Sequence, residues 1–111
     1  MLKSSGLSVT NKKGERISIP KAVKILEACK EPKSKNELTN IVNGDEVTKI
    51  YMPSLTDSGM LELVRESKFY SRKHNYGRHR TTGIGLEFLE NYKKFMNYAN
   101  SVFGSLVDRN E

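Results

Sequence analysis

The chain has 111 residues, with 19 Lys and Arg against 13 Asp and Glu, a net charge of +6. That length fits one domain, and 36% hydrophobic residues supply one modest core rather than a large enzyme fold with a deep pocket. A single cysteine, Cys29, excludes an intramolecular disulfide framework and a multi-cysteine zinc site, and no apolar run reaches the roughly 20 residues of a membrane-spanning helix.

The first 16 residues read as an arm. Leu7, Val9, Ile17 and Ile19 alternate with polar residues around Asn11-Lys12-Lys13-Gly14. The pattern suits a β-hairpin and equally a disordered arm. No secretory stretch is present between Met1 and Thr10, so a cytoplasmic protein is expected.

A first helix follows. Ser18 can cap it, Pro20 suits its first turn, and Val23, Ile25, Leu26, Ala28 and Cys29 supply its apolar face. It ends before Pro32, because proline disfavours helical geometry in the residue that precedes it. Cys29 sits in the apolar face with no partner at ligand spacing, so it reads as a small buried hydrophobe. Ser34-Lys35-Asn36-Glu37 is a capping box that opens a second helix with Leu38, Ile41 and Val42 on its inner face.

Asn43-Gly44 marks a turn, and Asp45 and Glu46 open a third helix, expected to reach Ser58. Val47, Tyr51 and Leu55 fall four apart along it, Pro53 should kink or shorten it, and Gly59 stops it. From Met60 the period becomes two, with Leu61, Leu63 and Arg65 on one face. A return strand within Tyr70–Thr82 closes a hairpin through His74-Asn75-Tyr76-Gly77.

The charge concentrates in that hairpin. Ser67–Arg80 carries Lys68, Arg72, Lys73, Arg78 and Arg80 with no acid, while Phe69, Tyr70, His74, Tyr76 and His79 interleave. Such a block attracts a polyanion more strongly than the same charges spread over the surface.

A last helix is expected from about Gly83 to Val107. Leu89, Tyr92, Met96, Ala99, Phe103 and Leu106 follow a heptad alternation, and Phe88, Phe95 and Val102 widen the stripe. Roughly 24 residues make a helix about 36 Å long, more than three short helices can cover. These nine residues therefore form the expected homodimer interface, with the first turns also able to fold back on their own domain.

The order helix, helix, helix, hairpin, long helix resembles a winged helix-turn-helix. Leu55-Thr56-Asp57-Ser58-Gly59-Met60-Leu61 is similar to the junction that ends the recognition helix and opens the wing in prokaryotic winged-helix regulators. Thr82-Gly83-Ile84-Gly85-Leu86-Glu87-Phe88-Leu89 is similar to the segment that closes the wing and starts the last helix. Ile25–Cys29 followed by Ser34–Leu38 resembles the opening helix pair. Over about Ser18–Asn100 the chain resembles small archaeal winged-helix DNA-binding proteins with a C-terminal coiled-coil dimerisation helix, and more distantly the MarR and PadR regulators. The hairpin is longer than a minimal wing, and the third helix is acidic for a recognition helix.

The expected fold is thus α+β, mainly helical: a winged helix-turn-helix with a long C-terminal dimerisation helix. Its parts are an arm or hairpin (1–16), the winged-helix domain (17–82), the dimerisation helix (83–107) and a tail (108–111). The resemblance implies a dimeric, nucleoid-associated transcriptional regulator, and an antiparallel dimer. Lys33, Ser34 and Lys35 would meet a phosphate, and Lys49 and Ser54 the major groove. Arg72, Lys73, His74, Arg78 and Arg80 would lie along the DNA backbone or minor groove, with His79 a pH-dependent addition. The resemblance would bury Thr48, Met52 and Leu55 of the third helix, whereas the spacing would bury Val47, Tyr51 and Leu55. A protein-binding winged helix and a chromatin-type non-specific binder are the alternatives. No catalytic set, metal-ligand spacing or cofactor motif is recognisable, so no enzyme activity, metal or cofactor is expected. An effector ligand is left open.

Overall fold

The computed structural model describes residues 7–42, 44–64 and 77–104. They form an α+β domain of four α-helices and two small antiparallel sheets. The chain begins with a hairpin of β1 (Ser8–Thr10) and β2 (Arg16–Ser18), in which Val9 pairs with Ile17. Asn11 builds its turn: the side-chain oxygen accepts from the Lys13 and Glu15 amides, and Gly14 takes the left-handed conformation at φ 84°. The described part of the arm, from residue 7 onward, is therefore a hairpin. It runs past residue 16 straight into the first helix rather than ending before it.

Helix α1 (Ile19–Ala28) starts at Ser18, whose hydroxyl accepts from the Lys21 amide, and carries Pro20 in its first turn. Ala22, Ile25, Leu26 and the following Cys29 are buried. Helix α2 (Lys35–Ile41) opens with both hydrogen bonds of the capping box: Ser34 Oγ accepts from the Glu37 amide, and Glu37 Oε1 from the Ser34 amide.

The third helix departs from a simple kink. It starts as a π-helical turn, Val47–Tyr51, with the Met52 amide bonded to the Val47 carbonyl, and continues as α3 (Met52–Asp57). Pro53 explains the widening, since a proline ring clashes with the carbonyl four residues earlier and an extra residue per turn relieves that crowding. Val47, Tyr51, Met52 and Leu55 are all buried, while Thr48 is half-buried and donates to the Asp45 carbonyl. Of the two sequence-based registers, the fourfold spacing holds, with Met52 added from the other. Thr48 does not belong to the core.

Gly59, at φ 84°, ends α3 and turns the chain into β3 (Leu61–Val64). The described return strand is β4 (Arg78–Thr81), paired Leu61 to Thr81 and Val64 to Arg78. The rest of the expected return strand lies outside the described residues. Lys33 adds an isolated bridge to His79, with reciprocal backbone bonds of 2.9 and 2.8 Å. Thr81 ties the same edge to α1, its amide bonding the Cys29 carbonyl and its hydroxyl the Leu26 carbonyl.

Helix α4 (Gly83–Phe103) is capped by Thr82 and stopped by Gly104 at φ 83°, so it ends short of Val107. Gly85 allows α4 to approach the sheet closely, because a Cβ there would lie 2.6 Å from the Met60 carbonyl oxygen. One core joins α1, α2, the third helix, Leu61 and Leu89, and Ile25, Leu26 and Leu38 are fully buried. Burial of each such side chain is worth about 1.5–3 kcal/mol.

Candidate nucleic-acid interface

Two segments more than 40 residues apart meet at the start of α2. The Lys33–His79 backbone bridge carries Lys33 and Lys35 against β4, and Arg78 Nη1 lies 2.8 Å from Glu37 Oε1. Lys35 is close enough to His79 to disfavour its protonation. Lys33, Lys35, Arg78 and Arg80 thus share one edge of the domain, a concentration of positive charge built by the fold rather than by any one stretch of sequence.

Carboxylates temper that edge. Arg78 pairs with Glu37, and Arg80 donates to Glu62 Oε2 from Nε at 3.1 Å and from Nη2 at 2.6 Å. All four side chains are exposed to about the same degree, so water screens both pairs and each yields readily to a competing anion. Glu37 is held below the ordinary carboxylate range chiefly by the Ser34 amide; desolvation opposes this, and Arg78, the Ser34 hydroxyl and Lys33 reinforce it in that order.

The Ser34 expectation needs correction. Its amide and hydroxyl are both engaged by Glu37, so this residue has no spare N–H to offer a phosphate. Lys33 and Lys35 keep their expected positions, Lys33 half-buried and Lys35 exposed. His79 also differs from expectation. Burial, and then Lys35, lowers its pKa below the ordinary 6.5, and Nδ1 is buried without a hydrogen-bond partner. A neutral ring with one inward nitrogen is not a cationic phosphate ligand.

On the third helix, Lys49 is exposed on the face turned away from the core. Ser54 is half-buried, and its hydroxyl accepts from Asn11 Nδ2 at 2.9 Å. Ser54 therefore anchors the β1–β2 turn instead of standing open toward a groove. Sequence reasoning missed this role of Asn11, although the polar turn Asn11-Lys12-Lys13-Gly14 carried the signal. Arg72, Lys73 and His74 lie outside the described residues.

Helix α4 divides its apolar stripe. Leu89, 5% exposed, is part of the domain's own core, and Phe88 packs against that core. These two residues are removed from the expected dimer interface, because α1 and β4 already cover the start of α4. Tyr92 and Met96 are half-buried and Ala99 is buried. Phe95, Val102 and Phe103 are 51, 51 and 74% exposed, and Tyr98, which the heptad spacing passes over, is 66% exposed. Leu106 lies outside the described residues.

The remaining chemistry is sparse. Burial pushes the Cys29 thiol up to about 11, with Lys33 opposing, so it is a poor nucleophile. Among the described residues no group of His, Cys, Asp and Glu is arranged to hold a metal ion, and no helix is long and apolar enough to cross a membrane. Comparison with models of known families, with curated proteins and with solved structures finds no match to this chain.

Proposed function

We propose that this chain is a winged-helix DNA-binding protein that acts as a dimeric transcriptional regulator. The observation that carries the reading is the convergence of Lys33 and Lys35 with Arg78 and Arg80 across the Lys33–His79 bridge. The bridge adds a third short segment to the β3–β4 hairpin, which supports reading that hairpin as the wing. The third helix stands beside it as the recognition element, with Lys49 on its exposed face. Basic groups on the wing and before α2 would grip phosphates while the helix approaches the major groove.

The dimer reading rests on α4. An aromatic and aliphatic stripe of Phe95, Tyr98, Val102 and Phe103 open to water opposes solubility, and a second copy would cover it. Two such domains would address two half-sites about one helical turn, or a multiple, apart.

Fluorescence anisotropy with duplex DNA across a salt series tests the reading. Tighter binding to the DNA upstream of the protein's own gene than to random duplex is expected of a regulator. Equal and steeply salt-dependent binding to both would make it a chromatin-type binder. Absence of binding at low salt would overturn the reading. One observation favours a protein-binding winged helix as the second reading: Asp45, Glu46 and Asp57 outnumber Lys49 on the exposed side of the third helix.

A further inference from the structure

The β1–β2 hairpin adds little to the core, since Ile17 is buried while Leu7 and Val9 are exposed. A lone two-stranded hairpin is marginal in water. This one is fixed to the third helix at two points: the Ser18 amide donates to Tyr51 Oη at 2.8 Å, and Asn11 Nδ2 donates to Ser54 Oγ at 2.9 Å. Ser54 is half-buried, about 100° round the helix from the exposed Pro53 and one turn before the exposed Asp57, so the turn is anchored on the flank of the third helix.

Next to Asn11 in the same turn stand Lys12 and Lys13, both exposed and without a carboxylate partner among the described residues. The acid of the turn, Glu15, is directed back to Asn11 Nδ2 at 2.8 Å. Arg78 and Arg80 must exchange a carboxylate for a phosphate, whereas Lys12 and Lys13 need exchange only water and counterions.

We propose that the β1–β2 turn is a second contact for the phosphate backbone of double-stranded DNA, with Lys12 and Lys13 as the contacting groups and Asn11 as their positioning residue. The inference rests on the DNA-binding reading above and adds a contact on the flank of the third helix. A helix in the major groove has a phosphate strand on either side, and the turn meets the one beside Ser54.

The test is anisotropy with the full chain and a random duplex of about two helical turns, between about 50 and 200 mM salt. The variants are Lys12→Ala/Lys13→Ala, Asn11→Ala, and the charge-matched Lys93→Ala/Lys94→Ala on the exposed side of α4. Replacing Lys12 and Lys13 should weaken binding roughly tenfold or more at the lowest salt and reduce the salt slope by about two. Asn11→Ala, which keeps both charges, should lose part of the same slope, and the α4 variant much less. Equal behaviour of the Lys12/Lys13 and Lys93/Lys94 variants would overturn the inference and leave the DNA-binding reading standing. Failure of the unaltered protein to bind any duplex would overturn both.

Discussion

Arg78 donates to Glu37 Oε1 at 2.8 Å, joining β4 to the first turn of α2 across 41 positions of sequence. The same oxygen accepts the Ser34 amide, so one carboxylate both caps a helix and holds a cation that the proposed function assigns to DNA. Glu37→Gln keeps a capping side chain and removes the competing charge. Duplex binding should tighten a few-fold with the helix content unchanged by circular dichroism, and unchanged or weaker binding would contradict the role given to Arg78.

The same residue has an acid signature. Its folded-state pKa lies below the ordinary 4.5, mainly through the Ser34 amide and then Arg78. A depressed carboxylate stabilises the fold above its unfolded pKa and loses that contribution as pH falls through the folded value. The melting temperature should therefore drop on acidification below about 4.5, and Glu37→Gln should flatten that part of the profile. An identical acid limb in the variant would show that Glu37 is not the group responsible.

His79 shifts in the same direction for a different reason. Its pKa is lowered from 6.5 by burial and then by Lys35, so the folded state binds fewer protons than the unfolded chain just below that pH. Stability should fall as pH drops through the region under 6.5 and level off below the folded value. Nuclear magnetic resonance titration of the ring protons should place His79 below 6.5, and a midpoint above it would contradict the buried setting of Nδ1.

Tyr51 is buried, and its hydroxyl oxygen accepts the Ser18 amide. Tyr51→Phe leaves that amide without its partner, which costs about 1–2 kcal/mol. An unfolding free energy in urea lowered by that amount, together with faster amide exchange in β1 and β2, is expected. An unchanged midpoint would mean that water replaces the phenol without loss.

Phe95 and Phe103 are exposed on α4 in one copy of the chain. Sedimentation of the unaltered protein should give twice 12.6 kDa, and Phe95→Glu/Phe103→Glu should give a single-copy mass with the helices retained. A monomeric unaltered protein would remove the dimer from the account.

The helices were legible because their signals are local. Ser18, the Ser34–Glu37 box, Gly59 and Thr82 each act within one turn, and each appears where its residue type indicates. The π-helical turn was not legible: Pro53 announces a disturbance but not which carbonyl register absorbs it. The candidate site was half legible. Lys33, Lys35, Arg78 and Arg80 stood out as charges, but their carboxylate partners Glu37 and Glu62 arise only when distant segments fold together. The same is true of the Asn11–Ser54 bond, which spans 43 positions and turns an expected groove contact into an anchor. On α4 the heptad shows an apolar stripe but not where its own domain ends, and Leu89 lies on the domain's side.

The most direct measurement is a two-dimensional amide spectrum of the isotope-labelled protein titrated with duplex DNA. The account predicts that shifts concentrate at Lys33, Lys35, Arg78 and Arg80, the edge built around the Lys33–His79 bridge, and at Lys49 on the third helix. Shifts confined to α4 between Phe95 and Phe103, or none at saturating duplex, would contradict it.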